Sequence, residues 1–466
     1  MKMDVSAVEM IVRRVMEEVG TLDNSNEYGY GIFDDMEEAI EAAYIAQKNY
    51  MNCSISEREK YIKAIRDVII KKENLELISK LGAEETGMGK YEHKIIKNKL
   101  AAIKTPGTED LITEAMTGDN GITLVELSPY GVIGAITPTT NPSETIICNS
   151  IGMLAAGNSV VFGAHPRAKG VSVLTVKLIN KALEEAGAPA NLVTTVYEPS
   201  VKNSNILMNH EKVKMIVATG GPEIVKTVMS TGKKAIGAGA GNPPVVVDET
   251  ADIEQAAIDI IDGCSFDNNL PCIAEKEVIA VEQVADYLIF NMKKSGAYEI
   301  KGDDLLKELE KLVLNENNGP NKDFVGKSAV YILEKLGIKA DSDIKAIIME
   351  TSKDHPFVQN ELMMPILPIV RAANVDEAID VAIEAEHGNR HTAIMHSKNV
   401  DKLTKMAKLI QTTIFVKNGP SYAGIGVGGE GYTTFTIAGP TGEGLTSAKY
   451  FARKRRCVLV DGFHIR

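Results

Sequence analysis

The sequence predicts an α/β fold in which a parallel sheet carries helices on both faces. Three observations lead to this prediction: apolar strand-like segments alternate with helical ones, glycines close the helices, and glycine-rich turns follow strands. Strands are predicted at 131–137, 159–162, 192–196 and 213–218, and helices at 143–156, 170–186, 201–208 and 222–230. Because helices connect the strands, the strands should run parallel, and ligands should bind at their carboxyl ends.

Each of these elements has a local reason. The segment 131–137 (GVIGAIT) is short and apolar, as buried strands are. Gly157 and Gly187 follow two of the predicted helices, and glycine readily adopts the left-handed conformation that closes a helix. Pro222 opens the last predicted helix, at a position where its missing N–H breaks no hydrogen bond.

Length and composition exclude several classes of protein. With 466 residues the chain has room for about two or three domains, and its 44% hydrophobic and 24% charged residues are typical of a globular protein. Its net charge of −12 repels phosphate backbones, so no nucleic acid partner is expected. No apolar run approaches the roughly 18 residues of a membrane span, and the acidic N-terminus does not resemble a secretory signal. We therefore expect a cytoplasmic protein without a membrane partner.

The cysteine and histidine patterns argue against a disulfide framework and against a metal site. His387, His391 and His396 lack the spacing of a helical ligand pair with a third ligand, so no metal is predicted, and we expect them in a solvated loop. The cysteines are scattered, odd in number and without a CxxC pair, which favours reduced thiols. They are Cys53, Cys148, Cys264, Cys272 and Cys457.

Residues 1–19 are predicted to form a separate amphipathic helix, followed by a polar linker at 20–30. Because a lone helix of this length is marginal in water, its apolar stripe should bury against either the protein's own body or a partner helix. The stripe repeats at steps of three and four and consists of Val5, Val8, Ile11, Val12, Val15 and Val19.

Two glycine-rich segments lie where strands are predicted to end. The segment TGGP (219–222) joins a strand to a helix N-terminus, where small residues and the helix dipole favour a phosphate. In 237–244 (GAGAGNPP), Asn242 stands where the third glycine of a dinucleotide-binding fingerprint should be. A tight turn and a connecting loop, neither with a ligand, explain the two segments equally well. These glycines alone therefore do not establish a cofactor.

Cys272 follows the polar, turn-forming residues DNNLP (267–271). A cysteine at such a junction can expose its sulfur, and nearby amides can stabilise a thiolate. Most cysteines, however, are small buried hydrophobic residues, so the local context alone leaves both interpretations open. Cys148 and Cys457, in a predicted buried helix and a predicted strand, are interpreted as packing residues.

Longer blocks of sequence are more specific than these local patterns. They are SPYGVIGAITPTTNPSETIICNSIGMLAAGNSVVF (128–162), KKAIGAGAGNPPVVVD (233–248), GCSFDNNLPCIAEKE (263–277), ELMMPILPIV (361–370) and TTIFVKN (412–418). With these blocks in this order, the chain resembles aldehyde dehydrogenases from about residue 31 to 462. In particular it resembles the CoA-acylating branch associated with propanediol and ethanolamine microcompartments and with clostridial butyraldehyde dehydrogenases.

The resemblance implies the aldehyde dehydrogenase fold, with a Rossmann-like parallel-sheet cofactor domain, an α/β catalytic domain and a β oligomerisation arm. The implied boundaries are 31–120 and 131–236 for the NAD-binding domain, 237–435 for the catalytic thiol domain, and 121–130 and 436–466 for the arm and C-terminal segment.

The resemblance also implies roles for individual residues. Cys272 matches the nucleophile, and its backbone N–H is one expected donor to the oxyanion. The second donor comes from a turn in which the family's asparagine position falls on Thr140, with Asn141 next to it, so either residue could serve. The implied cofactor-binding residues are Thr137, Pro138, Thr219, Gly220, Gly221, Gly239 and Glu361.

One departure from the family pattern bears on the acyl acceptor. Hydrolytic aldehyde dehydrogenases carry a glutamate that activates water, and Ala238 occupies its position here. No carboxylate occurs between 232 and 247. A thiol needs less help than water, because a few per cent of it is already thiolate near neutral pH. The sequence therefore predicts an NAD-dependent enzyme that passes the acyl group of a short-chain aldehyde to coenzyme A.

The resemblance extends to assembly. Similarity to encapsulation peptides implies that residues 1–19 bind a microcompartment shell protein, and the segments 457–460 and 121–130 are expected at a subunit interface of a homodimer or homotetramer. Three alternatives remain at this stage: a hydrolytic aldehyde dehydrogenase that releases free acid, a phosphate-using semialdehyde reductase on a related fold, and a non-catalytic microcompartment scaffold.

The first prediction concerns Cys272. We expect Cys272→Ala to abolish NADH formation from aldehyde, because no thioester can form without the sulfur. Cys457→Ala is the matched control and should retain activity. A Cys272→Ala protein that still oxidised aldehyde in a spectrophotometric assay would contradict the assignment.

Overall fold

The structure, a computed structural model, describes residues 29–465. Contacts divide this part of the chain into two compact units, which are described separately. Unit 1 comprises 29–85, 95–238 and 432–465, and unit 2 comprises Thr86–Lys94 and Gly239–Gly431. The predicted helix at 1–19 and most of the linker lie outside the described residues.

Strands account for the following ranges of the described chain: β1 Ile32–Phe33, β2 Glu114–Gly118, β3 Gly121–Pro129, β4 Val132–Ile136, β5 Ser159–Gly163, β6 Val193–Val196, β7 Val213–Thr219, β8 Lys234–Ala238, β9 Pro244–Val247, β10 Glu277–Val281, β11 Ala297–Glu299, β12 Ala346–Glu350, β13 Ile366–Ala372, β14 Thr392–His396, β15 Ile414–Lys417, β16 Ile437–Ala438, β17 Gly444–Leu445 and β18 Ala452–Val460.

The α-helices are α1 Met36–Tyr50, α2 Ile55–Ile70, α3 Lys72–Thr86, α4 Tyr91–Lys104, α5 Pro142–Ala155, α6 Lys169–Glu185, α7 Val201–Asn209, α8 Pro222–Met229, α9 Ile253–Ser265, α10 Glu282–Lys294, α11 Asp303–Val313, α12 Ala329–Lys335, α13 Pro356–Gln359, α14 Val375–Glu386 and α15 Val400–Ile410. None of these helices is long and apolar enough to cross a membrane.

Unit 1 is built on a parallel six-stranded sheet with the order β1-β6-β5-β4-β7-β8. The predicted alternation from residue 131 onward is confirmed, and the element ends lie within two residues of the prediction. Central strands β4 and β5 are buried along their whole length, as their continuous apolar sequences require. Helix α5 is also buried on every side, which holds its N-terminus in a fixed place.

Unit 2 contains a second parallel sheet, of seven strands, in the order β11-β12-β13-β10-β9-β14-β15. Helices α14 and α15 pack on its apolar side chains around Val246, Ile279 and Met395. A further apolar cluster joins α11 and α12 to β12 and β13. The unit therefore has its own core, and strands β13, β10 and β9 occupy the centre of its sheet.

A three-stranded antiparallel sheet, β18-β3-β2, belongs to unit 1. The sequence placed 121–130 and 457–460 together at an interface; in the structure these segments pair with each other within one chain, from Ala452 opposite Pro129 to Val460 opposite Gly121. Strand β18 begins at Ala452. The basic residues 453–456, which directly precede Cys457, are therefore part of this strand. Val458, Leu459 and Val460 are exposed on this edge strand.

The predicted domain boundaries after 236 and 435 lie within four residues of the division between the units. Residues 86–94 differ, since the sequence grouped them with 31–120 and the structure packs them in unit 2. The reason is a buried carboxylate, Asp267, to which this segment binds.

Candidate active site

Cys272 follows a short run of unusual backbone in unit 2. After α9, the residues Asp267, Asn268 and Asn269 have φ angles of 49°, 55° and 67°. This left-handed region is disfavoured for residues with a side chain, and asparagine and aspartate tolerate it best. The DNN motif, interpreted from sequence as turn-forming, is therefore required by the local backbone.

The side chain of Asp267 fastens the start of this run. Its carboxylate accepts a hydrogen bond from the N–H of Lys90 at 2.7 Å and lies 3.4 Å from Nζ of Lys94. The N–H of Asp267 donates to Nδ1 of His93 at 2.7 Å. Both ionic partners are almost fully buried. Because an unpaired buried charge is costly, this contact ties residues 86–94 to the Cys272 turn.

Asn269 fastens the other end and reaches both sides of Cys272. Its Nδ2 donates to the carbonyl oxygens of Cys264 and Glu275, each at 2.9 Å. The ammonium of Lys276 donates to Oδ1 of Asn269 at 2.6 Å and to its carbonyl oxygen at 3.1 Å. Residues 269–276 thus form a closed loop, here called the thiol loop, with half-buried Cys272 inside it.

Buried charges surround the thiol loop. Burial lowers the pKa of Lys276, and the attraction of Glu361 partly offsets this. Burial raises the pKa of Glu361, while Lys276 and the N–H of Gly241 act in the opposite direction. Glu361, predicted to hold the nicotinamide ribose, therefore lies in the same charge cluster as the Cys272 loop.

Two carboxyl groups that the sequence analysis missed follow Cys272 closely. Glu275 accepts hydrogen bonds from the N–H of Ser421 at 2.8 Å and from its hydroxyl at 2.7 Å, and burial raises its pKa to about 7. Glu277 is fully buried, neither of its carboxyl oxygens has a hydrogen-bond partner among the described residues, and burial raises its pKa well above the ordinary value. Burial therefore favours the neutral, protonated form of Glu277. Only the unusual EKE triplet could have indicated these positions.

The prediction of a solvated histidine loop is wrong for two of its three members. His391 and His396 are 1% and 2% exposed, and burial lowers the pKa of each imidazole to about 4. A Cβ atom on Gly241 would lie 2.8 Å from Cys272 O and 2.8 Å from Cγ of His391. His391 is thus a neutral imidazole packed close to the thiol loop, and its Nε2 has no hydrogen-bond partner in the described chain.

The predicted phosphate loop lies in unit 1, between β7 and α8. Gly221 is the N-cap of α8 and supplies no side-chain cap. The N–H of Gly220 donates to Ala238 O at 3.0 Å, and Oγ1 of Thr219 lies 2.8 Å from Oγ1 of Thr436. The first amides and the positive end of α8 are therefore suited to an anion such as a pyrophosphate.

Asn141 also lies in unit 1, as the N-cap of α5, but its side chain does not cap the helix. Its Oδ1 instead accepts a hydrogen bond from Nζ of fully buried Lys97 at 2.6 Å. Lys97 also pairs with Glu144 at 2.9 Å. Since an ammonium can only donate, it fixes the oxygen end of the Asn141 amide and turns the NH2 end away from itself. The nearest acceptor of that NH2 group is Oγ1 of Thr140, at 3.3 Å.

The predicted site residues are distributed over both units. Cys272, Gly239 and Glu361 belong to unit 2. Those of unit 1 are Thr137, Pro138, Thr140, Asn141, Thr219, Gly220 and Gly221.

Comparison with known proteins adds independent information. Residues 23–311 match the model of the aldehyde dehydrogenase family. The chain is 49% identical over 465 residues to a CoA-propanoylating propanal dehydrogenase of Citrobacter freundii, with 100% of each chain covered.

Solved structures are similar over nearly the whole chain. The propionaldehyde dehydrogenase of Rhodopseudomonas palustris, with bound CoA and an acylated cysteine, has a TM-score of 0.93 and 68% identity, covering 94% of this chain and 100% of that one. The propionaldehyde dehydrogenase of the Clostridium phytofermentans fucose utilisation bacterial microcompartment has a TM-score of 0.91 and 55% identity, with 94% and 100% covered.

The second prediction concerns the thiol loop. Asn269→Ala removes two amide donors and leaves Lys276 without its acceptor side chain, so we expect a loss of about 2–4 kcal/mol in unfolding free energy and a changed rate of Cys272 alkylation. Asn268→Ala is the matched control, because Asn268 has the same backbone conformation and donates to two carbonyls, of Gly89 and Gly326, away from Cys272. Equal effects of both variants on the rate of Cys272 alkylation would contradict the conclusion that Asn269 holds the thiol loop closed.

The third prediction concerns pH and stability. Because the folded state keeps His396 neutral down to about pH 4, against an ordinary value of 6.5, the unfolded state binds its proton first as pH falls. The unfolding free energy of His396→Leu should therefore rise by about 2 kcal/mol relative to that of the wild type as the pH falls from 7.5 to 5, measured by urea unfolding. His464→Leu, at an exposed position, is the control. A constant difference between His396→Leu and wild type would overturn the expectation.

Proposed function

The chain belongs to the aldehyde dehydrogenase family, and we propose that it oxidises a short-chain aldehyde of the propanal class with NAD and transfers the acyl group from Cys272 to coenzyme A. The activity is that of a CoA-acylating aldehyde dehydrogenase, and it is reversible. The propanal dehydrogenase of Citrobacter freundii, which aligns with this chain over its full length, is CoA-propanoylating, and this supports the substrate class.

One observation favours CoA over water as the acceptor: among residues 29–465, the carboxyl groups that follow Cys272 are not suited to activating water. Ala238 occupies the position of the hydrolytic glutamate. Glu275 is engaged with Ser421, and burial raises the pKa of Glu277 well above its ordinary value, which disfavours the charged form that would accept a proton. Glu361 is assigned to the cofactor ribose. A thiol acceptor needs a base less than water does, because its pKa lies closer to neutral.

The chain's own residues carry the acyl transfer. The Cys272 thiolate attacks the aldehyde carbonyl, and the oxyanion accepts a hydrogen bond from the N–H of Cys272. Loss of hydride leaves a thioester on Cys272, which the CoA thiolate then attacks. The proton of the CoA thiol passes to solvent, because burial lowers the pKa of His391 to about 4 and makes its imidazole a poor proton acceptor.

Of the two candidates for the second oxyanion donor, we favour Asn141 over Thr140. Lys97 holds Oδ1 of Asn141, so the amide presents its NH2 group as a donor. The hydroxyl of Thr140 accepts from that same group and helps to orient it. A hydrogen bond to a cation also polarises an amide and strengthens its N–H donors.

The N-terminus of α8 fits the pyrophosphate of NAD, because Gly221 leaves the first helical amides without a side-chain cap. Bound NAD supplies the hydride acceptor. Thr137, Pro138, Gly220 and Gly239 are proposed to contact it together with Thr219, Gly221 and Glu361.

For assembly, we propose a homodimer or homotetramer that uses the exposed edge of β18. We further propose that residues 1–19 bind a microcompartment shell protein. The relative from the Clostridium phytofermentans microcompartment supports this setting.

The fourth prediction tests the acceptor. NADH formation from propanal should depend on CoA and fall by at least about tenfold without it, because deacylation of Cys272 then relies on unassisted water. Propanal, acetaldehyde and butanal, each with and without CoA, provide the comparison. Full turnover without CoA would identify a hydrolytic enzyme, and a requirement for inorganic phosphate would identify a semialdehyde reductase.

A further inference from the structure

The side chain of Lys276 poses a physical problem that the proposed chemistry does not address. Lysine is rarely buried, yet this residue is only 3% exposed. Its ammonium donates to two oxygens of a single residue, Asn269, and both are neutral acceptors. A buried ammonium supported only by neutral oxygens is costly unless negative charge lies nearby.

The groups that face Lys276 come from several elements of unit 2. Burial disfavours the negatively charged form of Glu277, at the start of β10, and raises its pKa well above the ordinary value. Cys264 of α9 is buried, and burial raises the pKa of its thiol to about 12, so it is neutral as well. His391, before β14, is a neutral imidazole. Glu275, next to Lys276 in the chain, is held by Ser421, and burial raises its pKa to about 7. Half-buried Glu361 is the carboxyl group whose attraction most raises the pKa of Lys276, while burial raises the pKa of Glu361 itself.

The thiol loop brings Cys272 within range of this ammonium. Lys276 donates to the carbonyl oxygen of Asn269, which precedes Cys272 by three residues. Three residues span at most about 11 Å, so the charge and the sulfur belong to one compact turn. The N–H of Ala274 donates to Pro271 O at 3.0 Å and tightens that turn around Cys272.

We propose that Lys276 is a positioning residue and the fixed positive charge that favours the thiolate form of Cys272, within the loop that it closes through Asn269. This inference rests on the proposed function, in which Cys272 is the nucleophile. It explains why a lysine is retained at a buried position, since the thiolate is the second negative charge that the ammonium needs. At a separation of about 11 Å and an effective dielectric constant near 20, one such charge shifts a thiol pKa by about one unit.

Two substitutions separate charge from hydrogen bonding. Lys276→Gln keeps a donor for the oxygens of Asn269 but removes the charge, whereas Lys276→Arg keeps the charge. The rate of iodoacetamide labelling of full-length protein is measured against pH, and the Cys272 peptide is quantified by mass spectrometry. Cys457, exposed on β18, is the internal control, and its profile should be the same in every variant.

We expect Lys276→Gln to raise the labelling midpoint of Cys272 by about one pH unit, which lowers its labelling rate near neutral pH by up to about tenfold. Lys276→Arg should stay close to wild type. An unchanged midpoint in Lys276→Gln would overturn the proposal. Equal rises in both variants would also overturn it, because the effect would then come from geometry and not from charge.

Should Lys276→Gln fail to fold, Glu361→Gln tests the same electrostatics from the opposite side. Because that variant also acts on Cys272 directly, the wild-type protein supplies the decisive comparison: the Cys272 midpoint should lie below that of exposed Cys457, and a midpoint at or above it would contradict the proposal. Labelling requires neither aldehyde nor CoA. A wild-type protein that forms no NADH would therefore overturn the proposed function but leave the labelling result valid. An unchanged Cys272 midpoint in Lys276→Gln would overturn this inference alone.

Discussion

The chemistry of this protein depends on three consecutive left-handed residues that must be held in place immediately before Cys272. Three such torsions cost on the order of 3 kcal/mol, even with residues that tolerate them. The side chains of Asp267, Asn268 and Asn269 offset this cost through buried hydrogen bonds to four separate stretches of unit 2. The same residues that permit the backbone conformation therefore also fasten it. As a result, the sulfur is presented on a rigid support rather than on a mobile loop.

Burial decides which of the ionisable groups near that support are charged. The pKa of Glu277 is raised and that of His391 is lowered for the same reason, that a low-dielectric surrounding disfavours the charged form of each. Lys276 keeps its hydrogen bonds to Asn269, and Glu361 faces it. A site with few charges, each of defined sign, suits a reaction in which a thiolate and an oxyanion appear in turn.

Much of the architecture could be predicted from sequence, because strand and helix alternation is a local property. The DNNLP motif likewise marked the turn before Cys272. Tertiary burial could not be predicted in the same way. His391 and His396 lie among polar residues in the sequence, yet they are buried because β14 enters the sheet between β9 and β15. The sequence also could not decide whether Asn141 or Thr140 is the second oxyanion donor, because that choice depends on the contact between Asn141 and Lys97, which lie 44 residues apart.

Unit 1 draws its residues from both ends of the described chain, and strand β18 pairs with β3 across more than 300 positions. On a ribosome, β3 emerges long before its partner is translated. The arm therefore cannot close until β18 has been synthesised, whereas Gly239–Gly431 is complete earlier. Pairings of such long sequence separation form slowly, and the unsatisfied edge of β3 must be protected in the meantime. The order of synthesis thus makes the closing of this three-stranded sheet a later step in folding than the completion of Gly239–Gly431.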